Sequence, residues 1–265
     1  MKILNTVSPI FFFLIASFLS FCLFSCKSDD GELLYDNNLT PVILNGYNVS
    51  NDNLTVKFDT TTLGNIDPNT KFAVRRLFTF DNSSDVSKLI ILNQKNNEII
   101  LEKSIPNKER KISYNFFYLD GKFQDIPQKS DITPGKIKLK YLFRPLLTNT
   151  NKPLDIVFGK FYFTSKKFVE LKRYSNLKPY ELSEDITLDT LGNFEVYDGI
   201  RQIVQLKAYL YHTGTSEFYT KETGFNWPPG TTIPVPSINV VSSKLYIFSE
   251  KPAGGNISFN KNLEL

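Results

Sequence analysis

The chain has 265 residues, 41% hydrophobic and 22% charged, enough apolar material for one large or two small domains and unlike a disordered or collagen-like composition. Lys and Arg outnumber Asp and Glu by only 31 to 27, an excess too small to indicate nucleic acid as a partner. One His and two cysteines at the extreme N-terminus leave no Cys/His cluster for zinc and no Cys–His nucleophile pair, so no metal or other cofactor is expected.

Met1 and Lys2 open a short positive segment, followed by an almost uncharged run from Ile10 to Phe24 that includes Phe11, Phe12, Phe13, Leu14 and Phe18. This is the pattern of a secretory signal. As a helix the run would rise about 22 Å against about 30 Å of membrane hydrocarbon, so a retained span is the weaker reading. It ends in Leu23, Phe24, Ser25 and Cys26, which resembles the bacterial lipobox. The resemblance implies that residues 1–25 are removed and that Cys26, now first, is diacylated and holds the protein on a membrane. A general signal peptide with coincidental cysteines is the other reading. Lys27, Ser28, Asp29, Asp30, Gly31 and Glu32 are similar to the surface-export signal of Bacteroidota lipoproteins, which implies an outer-membrane location facing the cell exterior. Without that resemblance, 26–38 is simply a solvated tether. Cys22 falls in the removed segment, so no disulfide is expected in the mature chain.

Beyond the tether the chain reads as strands. Ala, the best helix former, occurs four times, while Phe, Tyr, Ile, Thr and Val abound. Leu54, Val56 and Phe58 alternate with polar neighbours, as do Ile137, Leu139 and Tyr141, and then Leu245 and Ile247, each the period of a half-buried strand. Further apolar runs bring the count above ten, and Asn96-Asn97, Asp120-Gly121 and Asp198-Gly199 supply residues suited to tight antiparallel turns. Phe168 to Tyr174 has a charged, faintly helical look but is too short to define an α/β unit. The expected fold is all-β: tandem antiparallel, immunoglobulin-like β-sandwiches over 39–130 and 131–265, divided near the polar segment Gln128–Gly135. Leu39-Thr40-Pro41 and Ile132-Thr133-Pro134 echo each other and hint that both sandwiches begin alike. One continuous sandwich is the alternative.

Catalytic sets are sparse. His212, at a predicted strand end, is the only imidazole, and no Gly-x-Ser-x-Gly elbow accompanies it. Glu181, Glu184, Asp185, Glu217 and Glu222 could supply a glycosidase pair only if the fold set two of them across a cleft. Asp81 to Asp85 offers oxygen ligands but lacks the EF-hand Gly and Glu, and reads as a turn. Lys136, Lys138 and Lys140 share one side of a strand, where lysines could draw an anionic glycan or guard against edge-to-edge pairing. The most suggestive stretch holds Phe218, Tyr219, Phe225 and the sole Trp, Trp227, among Pro228, Pro229, Gly230, Pro234 and Pro236. Aromatics in a Pro-rich loop stack on sugars or anchor a protein partner, so Trp227, Phe225 and Tyr219 are the candidate ligand-binding residues; a Trp that plugs the end of the sandwich is the competing reading. The functional expectation is a non-enzymatic surface lipoprotein that binds or scaffolds a glycan or protein. The alternative is a polysaccharide hydrolase or accessory glycan-binding subunit of an uptake system.

Overall fold

A computed structural model describes residues 39–80, 85–109, 111–119 and 121–265, which form sixteen strands and no helix. Cys26, the export residues Lys27, Ser28, Asp29, Asp30 and Glu32, the residues 81–84 and Asp120 lie outside the described residues.

The first eight strands are β1 (Leu39–Asn48), β2 (Leu54–Phe58), β3 (Thr61–Ile66), β4 (Thr70–Thr79), β5 (Val86–Asn93), β6 (Ile99–Pro106), β7 (Ile112–Leu119) and β8 (Lys122–Gln124). They form two four-stranded sheets, ordered β4-β1-β7-β8 and β3-β2-β5-β6. Leu54, Val56 and Phe58 point inward as their period requires, and meet Val42, Leu44, Leu89 and Phe116 in one core drawn from both sheets. Gly46 permits the close approach of β1 to β7: a Cβ there would stand 1.9 Å from the Phe116 carbonyl oxygen.

The second set is β9 (Lys136–Arg144), β10 (Leu154–Tyr162), β11 (Lys167–Leu177), β12 (Ile186–Asp189), β13 (Phe194–Tyr197), β14 (Ile200–His212), β15 (Ser242–Ala253) and β16 (Asn256–Glu264). Its sheets run β11-β10-β14-β13 and β12-β9-β15-β16, around a core that includes Tyr141, Phe143, Phe158, Leu206 and Phe248. The protein is therefore all-β, built from tandem β-sandwiches.

Three local expectations need correction. The segment Phe168–Tyr174 belongs to strand β11, whose polar, largely exposed side chains suit the edge of its sheet. Pairing is not purely antiparallel: β1 with β7 and β9 with β15 run parallel, because each pair is joined by a long return path rather than a hairpin. Leu39-Thr40-Pro41 lies within β1, whereas Ile132-Thr133-Pro134 precedes β9 and ends in a turn closed by Lys136 N–H to the Thr133 carbonyl, so the two tripeptides are not structurally equivalent.

β15 departs most from its alternating pattern. Tyr246 and Phe248 enter the core of their own sandwich, while Leu245 and Ile247 meet Val49, Phe117 and Leu119 of the first sandwich, with Leu142 and Leu263. A strand that reads as half-buried is buried on both faces. Among the described residues no strand pair joins the two sandwiches, so this third apolar cluster couples them through side chains.

Candidate functional site

The long connection from β14 to β15, residues 213–241, carries the Trp and most of the clustered prolines. Proline lacks an N–H and cannot extend a ladder, so the loop touches the neighbouring edges at single points. Tyr219 N–H donates to the Leu210 carbonyl and Ile233 N–H to the Ala208 carbonyl, both on β14. Asn226 N–H donates to the Gly255 carbonyl, and Ile257 N–H returns to the Asn226 carbonyl on the β16 side. The loop thus laces one sheet to the other across the open side of the sandwich. Tyr141 Oη anchors it from the core by donating to the Pro234 carbonyl at 2.8 Å.

Between the loop and β15–β16 lies an open pocket of about 630 Å³. The loop contributes the apolar Ile233, Pro234, Val235, Pro236 and Val240, with Thr232 and Ser237 as its polar members. The strands contribute Ser242, Lys244, Tyr246, Phe259, Lys261 and Glu264. Glu264 pairs with Lys244 at 2.7 Å and also with Lys261. Hydrogen bonds from Lys244 and then Lys261 hold its carboxyl below the ordinary glutamate range, so it stays ionised. Burial, reinforced by the Glu264 charge, pushes the Tyr246 phenol up and keeps it protonated. Ser242 Oγ is buried in the pocket wall without a hydrogen-bond partner.

Trp227 sits beside this pocket, half-buried. It stacks on Phe218 with centroids 4.8 Å apart and leans on Phe259 at 5.3 Å. Phe259 lines the pocket and therefore links it to Trp227. Beyond Phe218 the rings continue through Tyr211 and Tyr209 to Phe168, which lies over Gly159 on the outer face of the sheet. There Lys207 stands 3.7 Å over the Phe161 ring, and burial holds its ammonium below the ordinary lysine value.

The three predicted binding residues have different fates. Trp227 is accessible at the pocket's flank. Phe225 is half-buried at a loop turn, outside the ring contacts of Trp227. Tyr219 is fully buried, and its hydroxyl donates to Glu250 at 2.8 Å, so it is a core residue rather than a ligand contact. Glu250 also accepts from Leu147 N–H, Thr148 N–H and Thr148 Oγ1, which satisfies a buried carboxylate completely. The strand side of the pocket was not among the predicted site residues. Its one sequence signal is the Gly254-Gly255 turn, which implies a β15–β16 hairpin and would bring Lys261 and Glu264 near Lys244 and Tyr246.

Three of the five candidate acids are tied up in ion pairs. Glu217 meets Lys221, Glu181 meets Lys178 at 3.5 Å, and Asp185 meets Lys140 at 3.2 Å. Lys136 binds Asp189 at 2.5 Å, so the lysine row of β9 is partly neutralised. The His212 backbone N–H donates to the Glu217 carbonyl at the end of β14. Among the described residues no group of three or more His, Cys, Asp or Glu could hold a metal ion.

No family model matches the chain, and no curated protein matches it. Among solved structures it is similar to a candidate adhesin from Bacteroides ovatus at 8% identity and a TM-score of 0.25, over 86% of this chain and 94% of that one. It is also similar to a leucine-rich repeat protein from Bacteroides thetaiotaomicron at 10% identity and a TM-score of 0.16, over 68% of this chain and 23% of that one. At these scores neither likeness bears on function. The sheets themselves define the class, a tandem β-sandwich protein.

Proposed function

We propose that this chain is the folded body of a surface-displayed lipoprotein, anchored through Cys26, whose second sandwich binds a ligand in the pocket between the Pro-rich loop and β15–β16. The anchor rests on the Ser25-Cys26 junction at the end of the apolar run, and the outward address on Asp29, Asp30 and Glu32. The binding role rests on one observation: an open pocket of about 630 Å³ whose lining residue Phe259 packs directly against the half-buried Trp227. A glycosidase requires two carboxylates across its cleft, and among the described residues lining this pocket Glu264 is the one acid. That favours binding over hydrolysis.

Trp227 is the sole Trp of the chain, so its emission reports on the site. A ligand that presses on Phe259 alters the environment of the indole. The full chain in detergent, titrated with soluble polysaccharides and short peptides, should show a saturable emission change that Val240→Arg abolishes by filling the pocket. Val240 is an exposed wall residue, so the substitution leaves the core intact. Unchanged emission with every probe would refute the reading.

A further inference from the structure

We infer that the pocket accepts a neutral sugar ring, with its C–H face on the Phe259 side and its hydroxyls on the Lys244–Glu264–Lys261 cluster. This rests on the reading that the pocket is the binding site and adds the class of ligand. The two walls differ in chemistry: the loop wall is mainly apolar, with Thr232 and Ser237 its polar members, and the strand wall adds the rings of Tyr246 and Phe259 and the ionic cluster. Phe259 is wedged against Trp227 at 5.3 Å, Phe248 at 5.6 Å and Phe143 at 6.2 Å, which makes it a fixed platform rather than a mobile side chain. A rigid ring face offers contact area at low entropic cost.

The charges discriminate among ligands. An anion could use Lys244 and Lys261, but it would meet the ionised Glu264 that both lysines already neutralise. A cation could use Glu264 alone and would face two ammonium groups. An extended peptide would need a row of backbone donors and acceptors, whereas the charged groups here are two ammonium groups gathered around one carboxylate. A hydroxyl both donates and accepts, and vicinal hydroxyls alternate the two roles. A carboxylate beside two ammonium groups matches that alternation: one hydroxyl donates to Glu264 while its neighbours accept from Lys244 and Lys261. The polyol is the ligand class that uses all three charged groups without an uncompensated charge.

Native affinity electrophoresis of the full chain in detergent, in gels containing amylopectin, galactomannan or xyloglucan, with polygalacturonate as the anionic counterpart and short peptides titrated separately, tests the assignment. At least one neutral polysaccharide should retard the protein. Glu264→Gln should weaken that retardation about tenfold, the loss of a charge-assisted hydrogen bond, while improving the relative affinity for polygalacturonate. Val240→Arg, which leaves the ionic cluster in place, should abolish the neutral interaction independently and guards against a folding defect in the first variant. Retardation by polygalacturonate alone, or an emission change at Trp227 with peptides alone, would overturn the sugar assignment yet leave the binding reading standing. No response to any probe would overturn both.

Discussion

The indole of Trp227 lies face to face on the ring of Phe218, centroids 4.8 Å apart and planes 9° apart, while its edge meets Tyr209 and Tyr219. Trp227 therefore both buttresses the core and flanks the pocket. Trp227→Ala should cost about 2 kcal/mol of stability, less than the about 3 to 5 kcal/mol of a fully buried aromatic, because half of the side chain faces solvent. Trp227→Phe should recover most of it. Urea denaturation distinguishes these outcomes; a loss above about 4 kcal/mol would mean that the residue serves only as a plug.

Tyr219 and Glu250 form the buried polar centre under the loop. Burial and then the Glu250 charge push the Tyr219 phenol well above its ordinary value, so it remains a donor at all physiological pH. Tyr219→Phe should cost about 1 to 3 kcal/mol by removing one of the carboxylate's donors. Glu250→Ala should cost more, since it strands the Leu147 and Thr148 amides as well. Equal melting curves for wild type and Tyr219→Phe would contradict this.

Leu245 is fully buried in the cluster between the sandwiches. Leu245→Ala should destabilise by about 2 to 5 kcal/mol, although the residue lies outside the cores of both sandwiches. Leu245→Lys should separate the two and expose the segment 128–135 to limited proteolysis. Retained resistance in the Lys variant would show that the cluster does not couple them.

Acid stability should depend on carboxylates paired with lysine. Hydrogen bonds from Lys160 and then Tyr162 lower the Glu195 carboxyl below its ordinary 4.5, as Lys244 and Lys261 do for Glu264. A depressed folded pKa stabilises fully above the unfolded value and loses its contribution as pH falls through the folded one. Tyr162 is pushed up to about 12 by burial and by Glu195, so its contribution holds below 10 and fades above it. Urea midpoints should thus be flat between about pH 5 and 9 and fall on either side. Glu195→Gln should flatten part of the acid slope; a midpoint that rises on acidification would be the contrary result.

The anchor proposal predicts that Cys26→Ala leaves an unlipidated chain that is released from membranes or retained as precursor. Metabolic labelling with a fatty-acid analogue measures it, and an unlabelled wild type would dispose of the idea. Replacing Asp29, Asp30 and Glu32 by Ala should keep the lipid and lose surface display. Protease accessibility on intact cells, unchanged between variant and wild type, would argue against the acidic address.

Local chemistry made the strand content legible in the sequence. Period-two alternation at Leu54–Phe58 and Ile137–Tyr141 places those side chains inward, because each face of a strand meets one environment. The clustering of prolines around Trp227 likewise marked the loop that forms one wall of the pocket. Tertiary structure decided the rest. The alternation at Leu245 and Ile247 identified a strand but not that its second face would be covered, since that depends on how two sandwiches dock. Whether Tyr219 or Trp227 would reach solvent depended on Glu250, a carboxylate thirty-one positions from Tyr219. The opposite wall of the pocket required a bulge between Ile247 and Phe248, which shifts the hairpin by one residue and sets Tyr246 opposite Glu264. Periodicity reports the environment of single strands; which charged ends a register brings together is settled only when the sheets close.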